Sequence, residues 1–354
     1  MRSAILAMMT ASLFISPVDA ATVLYVSCAA EQEIAVLKLD DDGSLAEVQR
    51  VQVDGAPGSL NVDPLRRFLF ASLRTSSSIG SFEIEAATGK LRPLGRTKLQ
   101  DGANAAYVAV DRSGRWLLSA SYLGGRVVVH ALDADGRIAA EPTQTVETAK
   151  TAHCVTFSPS NRTAYVPHVA PNALFQFRFD AASGKLEDVG RAAGGREGAG
   201  PRHIAFHPSG RFAFTSDESG SSITSYTVDA DEKLVPRETL STLPDGFAGK
   251  NTTAEVKVHP SGRFVWVSNR GHDSLAGFRF DAESGRLTAL GQTPTEKTPR
   301  SFTLDPAGRF AFGAGEGSGV LQTYHVDEAT GTLAPLRKYP LGKSLTWAAA
   351  VELP

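Results

Sequence analysis

Four side chains in this sequence are of the types needed for acid–base chemistry on a small anionic molecule. They are His153, Arg202, Glu218 and Arg270. A histidine exchanges a proton near neutral pH, which makes it a candidate general base. An arginine presents a planar fork that grips a carboxylate or phosphate. A glutamate orients the base or the attacking water, or takes the proton itself. Because these residues are far apart along the chain, they act together only if the fold gathers them.

A short turn phrase, close to Pro-Ser-Gly-Arg-Phe, recurs along the chain. Its arginines are spaced 46 to 52 residues apart and are Arg67, Arg115, Arg162, Arg211, Arg263 and Arg309. A second phrase, close to Asp-x-x-Ser-Gly-Lys-Leu, recurs in step with the first. Its apolar residues are Leu45, Leu91, Ile138, Leu186, Leu234, Leu287 and Leu333. Strand-like segments separated by turns at this period are typical of β-propeller blades.

Counting the two phrases predicts an all-β, seven-bladed β-propeller. The second phrase occurs in seven outer hairpins, whereas only six inner turns are present. The chain begins at residues 22–26 with what is already a second strand, and residues 345–351 supply the missing inner strand. The first blade is therefore expected to be closed by strands from both termini, which protects sheet edges that an open array would expose.

The N-terminal segment predicts export. Arg2 precedes an apolar run over residues 4–15, and Val18-Asp19-Ala20 resembles a small-residue cleavage site. We expect residues 1–20 to be a signal peptide, with an uncleaved anchor as the alternative. Residues 21–354 then form a single seven-bladed domain, secreted and located in a bacterial periplasm, with no membrane span in the mature chain.

Two positions per blade vary while the scaffold repeats, and both are expected at the same end of the inner hairpin. The position before the turn holds Gly58, Ala106, His153, Arg202, Ala254 and Arg300. The position after it holds Arg74, Tyr122, Val169, Glu218, Arg270 and Glu316. A ring of blades places all of them around one pocket. We expect His153, Arg202, Glu218 and Arg270 to be catalytic, and His203, Arg300, His168 and Tyr122 to bind substrate. A solvated rim of alternating charge is the alternative.

The segment Gly200-Pro201-Arg202-His203-Ile204-Ala205-Phe206-His207-Pro208 resembles the seven-bladed propeller lactonase family, which includes propeller-type 6-phosphogluconolactonases and, more distantly, carboxymuconate cyclase. Further likeness lies at Ser268-Asn269-Arg270 and Trp347-Ala348-Ala349-Ala350. The resemblance implies a His, two Arg and a Glu as active-site residues, and these fall on the same four positions. One departure is Asp217, where related sequences usually have Asn, and we expect it to add a negative charge beside Glu218.

These observations predict a metal-free lactone hydrolase without a cofactor, acting on a sugar-type or carboxylated lactone or the corresponding organic acid. His153 is the expected base, Arg202 and Arg270 hold an anionic group or the oxyanion, and Glu218 is the orienter or an alternative base. A lactonising cyclase and a non-catalytic binding or scaffold propeller of the cell envelope remain alternatives. The formal net charge of -2 argues against a nucleic-acid partner, and a monomer is expected.

Three smaller predictions concern residues outside the proposed site. Cys28 and Cys154 lie in different repeats, so two buried free thiols are favoured over a disulfide. His207 and His259 occupy the turn position that holds aspartate in other blades, which predicts turn capping. His272 is expected to support its neighbour Arg270.

Overall fold

The computed structural model describes residues 21–100 and 104–353, and every regular element within these ranges is a β-strand. Twenty-eight strands form seven antiparallel sheets of four strands each. The predicted all-β, seven-bladed propeller is confirmed. The predicted signal peptide, residues 1–20, lies outside the described residues.

Each blade runs from an inner strand to an outer strand. The inner strands are β4 (Pro57–Val62), β8 (Ala105–Val110), β12 (Thr156–Phe157), β16 (Pro201–Phe206), β20 (Thr252–Val258), β24 (Pro299–Leu304) and β28 (Leu345–Glu352). The second strands are β1 (Thr22–Cys28), β5 (Phe68–Leu73), β9 (Trp116–Ser121), β13 (Thr163–His168), β17 (Phe212–Asp217), β21 (Phe264–Arg270) and β25 (Phe310–Gly315). Around the axis, inner-strand contacts join β16 to β20, β20 to β24, β24 to β28, β28 to β4 and β4 to β8.

The outer half of each blade is exposed to solvent along one edge. The third strands are β2 (Glu33–Leu39), β6 (Ser78–Ile84), β10 (Arg126–Ala131), β14 (Ala173–Asp180), β18 (Ser222–Val228), β22 (Ser274–Asp281) and β26 (Val320–Val326). The outer strands are β3 (Leu45–Gln52), β7 (Leu91–Lys98), β11 (Gln144–Glu147), β15 (Lys185–Ala193), β19 (Leu234–Ser241), β23 (Arg286–Pro294) and β27 (Leu333–Pro340).

Both ends of the chain complete the first blade. Strand β28 pairs antiparallel with β1, from Thr22 opposite Glu352 to Cys28 opposite Leu345. The predicted closure is therefore confirmed, and the ring has no free inner edge at this blade.

The hydrophobic core lies between blades rather than along the axis. Val36 of blade 1 packs in one cluster with Leu69 and Phe82 of blade 2, and similar clusters fill the other interfaces. Second strands such as β13 and β17 are buried at every residue because a blade covers each of their faces. Both cysteines are buried and free, as predicted.

The repeated turns are held by side-chain caps. The Asp111 carboxylate accepts hydrogen bonds from the backbone of Arg115 and Trp116. His207 and His259 do the same job through Nδ1, which accepts the backbone N–H two residues later at 3.1 Å in each case. These two histidines are therefore part of the scaffold, as their place in the repeat predicts.

The turn before the outer strand of blade 5 differs from the equivalent turns because the residue that faces it in the preceding blade is different. Gly136 has φ +77°, and a Cβ there would lie 2.4 Å from the ring of Phe68 in the preceding blade. In blade 5 the same position is Glu232, also with positive φ. The facing residue is Thr163 instead of an aromatic residue, and its hydroxyl donates to Glu232 at 2.6 Å. The missing ring makes room for the glutamate side chain.

Candidate active site

A β-bulge near the end of the inner strands shapes the site. The pairing of β16 with β17 shifts between Pro201 and His203, so Arg202 is an extra residue with no partner opposite it. The same shift leaves Arg300 extra in β24 and Ala106 extra in β8. Bulges turn side chains away from the regular alternation of a strand. They therefore present Arg202 and Arg300 at the end of the propeller where the loops meet.

A cavity of about 260 Å³ opens at this end. Its size is just below the roughly 300–1,000 Å³ usual for ligand pockets, which suits a small molecule. The lining combines residues of six blades, namely Arg74, Asn104, Ala106, Tyr122, Leu123, His153, Glu218, Arg270 and Arg300. Five of the residues predicted for the site, His153, Glu218, Arg270, Arg300 and Tyr122, thus meet at one pocket.

Glu218 is held between two arginines. Nη2 of Arg270 donates to Oε1 of Glu218 at 2.6 Å and to the carbonyl of Thr253 at 2.9 Å. Nε of Arg202 lies 3.9 Å from Oε2 of the same carboxylate. Burial alone would raise the pKa of Glu218, but the charges of Arg202 and Arg270 outweigh it, so this pKa lies below its usual value. Glu218 is therefore ionised at neutral pH.

His153 lines the pocket with its ring largely buried. The ring meets those of Tyr122 and His203 edge-on, with centroids 5.4 and 5.2 Å away. Burial, reinforced by the charge of Arg202, lowers the pKa of His153 well below its usual value. The imidazole is therefore neutral at neutral pH and has a lone pair free to take a proton.

Arg202 lies below the pocket rather than in its wall, contrary to the expectation that it grips substrate directly. Its side chain is 1% exposed, and Nη1 donates to the carbonyl of Ala254 at 2.8 Å. Its guanidinium reaches Glu218 from the buried side, with Nε 3.9 Å from Oε2. Arg300 occupies the equivalent place in blade 7 and does line the pocket, with Glu316 3.6 Å away.

His203 and His168 do not line the pocket, so we withdraw both as substrate contacts. His203 is buried against Tyr107 and Trp347, and its Nδ1 lies 3.0 Å from Glu255. Both ring nitrogens of His168 are engaged, with the Val166 carbonyl at 2.8 Å and the Thr148 hydroxyl at 2.9 Å.

The alternation of the second strand explains where His168 and Asp217 point. Each immediately precedes a residue of the variable position, so its side chain turns to the opposite side. We expected Asp217 to add a negative charge beside Glu218, and this expectation was wrong. Its side chain is fully buried within blade 5. Its carboxylate accepts hydrogen bonds from Thr215, Ser222 and Thr224 at 2.7, 2.9 and 2.7 Å.

Sequence reasoning missed several residues in and below the pocket. Asn104 and Leu123 flank the compared positions by two residues and one residue, and Arg74 occupies a compared position but is not among the residues predicted to bind substrate. Glu255 was missed because one residue per inner strand was compared, whereas the bulge brings two consecutive residues towards the axis. His272 donates its backbone N–H to Asn251, and its ring pairs with Ser274 rather than with Arg270.

Unpartnered polar atoms are concentrated at this site. Among the described residues, one buried polar atom of each predicted catalytic side chain has no hydrogen-bond partner, namely His153 Nδ1, Arg202 Nε, Glu218 Oε2 and Arg270 Nε. Buried polar groups are normally satisfied, and exceptions often mark functional positions. In residues 21–100 and 104–353, no group of three His, Cys, Asp or Glu side chains is placed to hold a metal ion.

Nearly all of the chain matches one family. The profile of the family described as "Lactonase, 7-bladed beta-propeller" aligns with residues 9–100 and 94–350. The chain belongs to the seven-bladed propeller lactonases. The predicted resemblance is confirmed, and so is the prediction that this is an enzyme of the lactonase class.

Individual members of the lactonase family support the same assignment. The 6-phosphogluconolactonase of Pectobacterium atrosepticum is 33% identical over 291 residues, which cover 80% of this chain and 84% of the relative. The 6-phosphogluconolactonase of Serratia proteamaculans is 30% identical, and the alignment covers 92% of this chain and 98% of the relative. Among solved structures, the periplasmic gluconolactonase of Pseudomonas aeruginosa is 26% identical with a TM-score of 0.85, covering 94% of this chain and 100% of that one.

Proposed function

We propose that this lactonase hydrolyses a small sugar-type or carboxylated lactone in the pocket formed by His153, Glu218, Arg270 and Arg300. The observation that carries the proposal is the meeting of a neutral imidazole, an ionised carboxylate and three guanidinium groups, including that of Arg74, at one small cavity. Ester hydrolysis requires a base for water and positive charge for the oxyanion, and these groups supply both.

In the proposed mechanism, His153 takes a proton from water as the water oxygen attacks the ring carbonyl. The carbonyl oxygen becomes an oxyanion, which Arg270 or Arg300 stabilises. A donor of this type is often worth about 3–4 kcal/mol. When the tetrahedral intermediate collapses, the ring C–O bond breaks. The imidazolium then returns the proton to the departing alkoxide, so the products are a hydroxy acid and a neutral His153.

His153 is a better candidate for the base than Glu218. Both oxygens of Glu218 face guanidinium groups, at 2.6 and 3.9 Å, and a carboxylate stabilised in this way has little tendency to bind a proton. Guanidinium charge also lowers the pKa of His153, but among the described residues its ring makes no hydrogen bond to a guanidinium group and its Nδ1 has no hydrogen-bond partner, so it is free to accept a proton. We assign Glu218 the role of holding Arg270 in place and orienting the water.

The substrate is proposed from the relatives and the predicted export. Similar proteins are named for gluconolactone and its 6-phosphate, and the arginines of the pocket favour an anionic substituent. The sequence pattern of residues 1–20 supports export to the periplasm, where a lactone without phosphate is the expected substrate. No helix among the described residues is long and apolar enough to cross a membrane.

A lactone panel tests the proposal. Initial rates of ring opening would be measured for glucono-δ-lactone, its 6-phosphate and carboxylated lactones, after subtraction of the spontaneous rate and with or without a chelator. We expect turnover of at least one aldonolactone, unchanged by the chelator. A chain that opens none of these lactones would favour a binding propeller. Rates abolished by the chelator would contradict the metal-free mechanism.

Export and assembly are tested separately. Mass spectrometry of the protein recovered from the periplasm should find Ala21 at its N-terminus, and light scattering should give the mass of one chain. A protein retaining residues 1–20 in the membrane fraction would instead indicate an uncleaved anchor.

A further inference from the structure

A buried carboxylate–imidazole pair lies directly beneath the pocket and has no part in the mechanism above. Oε1 of Glu255 lies 3.0 Å from Nδ1 of His203, and the two residues are 2% and 1% exposed. His203 belongs to β16 and Glu255 to the neighbouring inner strand β20. The pair therefore joins blades 5 and 6, the same blades that supply Glu218 and Arg270.

Arg202 rests on this pair. Its Nη1 lies 3.2 Å from Nδ1 and 3.0 Å from Nε2 of His203. An atom almost equidistant from both ring nitrogens at this range stands over the face of the imidazole, because an in-plane position would collide with Cε1. The ring in turn is confined by Tyr107 and Trp347, with centroids 5.3 and 5.8 Å away. His203 is thus a rigid platform for the guanidinium.

The charges around Arg202 make a second carboxylate necessary. Burial opposes its positive charge most, and so do the charges of Arg270 in blade 6 and Arg300 in blade 7. Glu218 compensates from the pocket side, and Glu255 compensates from beneath. A buried guanidinium is retained only where such partners offset its loss of water. Lys257, 3.4 Å from Glu255, keeps that carboxylate ionised.

The pair is specific to this side of the ring. The positions equivalent to His203 and Glu255 in the other five inner strands follow from the strand pairings and are Trp347, Ser59, Tyr107, Cys154 and Ser301. Ser59 and Ser301 serve only as acceptors for backbone N–H groups of the next blade. Scaffold closure therefore does not need an acid or a histidine at this position.

We propose that Glu255 and His203 are positioning residues that hold Arg202 beneath Glu218 and so fix the pocket carboxylate for the reaction. The inference rests on the proposed lactonase function. Neither residue touches the substrate, and both act through Arg202. Their removal should therefore lower kcat more than it changes KM.

The test is a pair of double-mutant cycles on the full chain, with lactone opening as the measurement. Glu255→Gln keeps the shape of the side chain and removes its charge. We expect kcat to fall by about tenfold or more, as for outer-shell partners of other sites, and Glu255→Asp to recover part of the loss. In an Arg202→Gln background, Glu255→Gln should lower kcat by less than about twofold, because the effects of substitutions at coupled residues are not additive.

A second cycle pairs Glu255→Gln with His203→Gln, and the double variant should be no slower than the slower single variant. Asp217→Asn is the matched control, since it also removes a fully buried carboxylate, and it should stay within about twofold of the parent. Circular dichroism would confirm that every variant is folded.

Three outcomes separate the possibilities. If the parent opens lactones and Glu255→Gln has the same kcat, the positioning role is overturned while the proposed function stands. Losses that multiply in both cycles would show a general structural effect and would also overturn it. A parent chain that opens no lactone would instead contradict the proposed function.

Discussion

Nη2 of Arg270 donates a 2.6 Å hydrogen bond to Oε1 of Glu218 and so links blade 6 to blade 5 at the floor of the pocket. The bond fixes the carboxylate, lowers its basicity and leaves Nε of the arginine without a protein partner. In the proposed mechanism the bond therefore separates the two roles at the site, with Glu218 as the orienting group and His153 as the group that exchanges the proton.

Replacing Arg270 by lysine tests this link. Lysine keeps the positive charge but loses the rigid, planar guanidinium, whose Nη2 donates to both Glu218 and the Thr253 carbonyl. We expect kcat/KM for lactone opening to fall by about 100-fold, which corresponds to roughly 2.7 kcal/mol of transition-state stabilisation. Arg309→Lys makes the same change at an exposed turn outside the pocket and should leave kcat/KM unchanged. Equal activity in both variants would contradict the role of Arg270.

The pH dependence of the rate should reflect the neutral state of His153. Burial and Arg202 lower its pKa well below the usual 6.5, so the base stays unprotonated as the pH falls. We expect kcat/KM, corrected for spontaneous hydrolysis, to pass through pH 6.5 without a decline and to fall only at clearly more acidic pH. A half-maximal value near pH 6.5 would show that the base is an ordinary exposed histidine or that the pocket differs from the one described.

Asp217 should make stability depend on pH. Burial raises its pKa to about 7 from the ordinary 3.8, although three hydroxyl groups oppose the shift. A carboxyl group whose pKa is raised in the folded state contributes stability at pH values below its pKa in the unfolded chain. This contribution is lost as the pH rises through the folded-state pKa of about 7. The free energy of unfolding of Asp217→Asn should therefore rise relative to that of the parent between pH 5 and 7. The change in this difference should reach about 2–4 kcal/mol above pH 8. Urea unfolding at several pH values measures the difference, and a pH-independent gap would contradict this account.

Alanine substitutions at two glycines with the same φ would distinguish the cost of backbone strain from the cost of side-chain crowding. Gly136 and Gly246 both have φ +77°, but a Cβ on Gly136 meets the ring of Phe68 while one on Gly246 meets nothing within 4 Å. Gly246→Ala should cost only the backbone term, about 1–2 kcal/mol. Gly136→Ala should cost clearly more in the free energy of unfolding. Equal losses would show that the blade interface yields without cost.

The architecture was predictable because the repeat encodes it directly. Turn residues such as Asp111 and His207 recur at fixed spacing since each must cap the same turn, and counting the outer hairpins gives seven blades. The closing strand was also predictable, because residues 345–351 provide the inner strand that the first blade lacks.

The site was predictable only in part, for two physical reasons. Comparing blades found His153, Glu218 and Arg270 because ionisable side chains interrupt the repeat at those positions. It failed at His168, since neighbouring residues on a strand face opposite sides. It also failed at Glu255, because a β-bulge adds a residue that no regular alternation predicts.

The central claim is that His153 is the base for lactone opening, and one measurement tests it most directly. Initial rates on the best lactone of the panel would be compared for the parent, His153→Ala and the turn variant His259→Ala, after subtraction of the uncatalysed rate. Loss of a general base typically costs about 10²–10⁴-fold, so His153→Ala should lose at least 100-fold in kcat. A folded His259→Ala should keep its kcat. Full activity in folded His153→Ala would contradict the account.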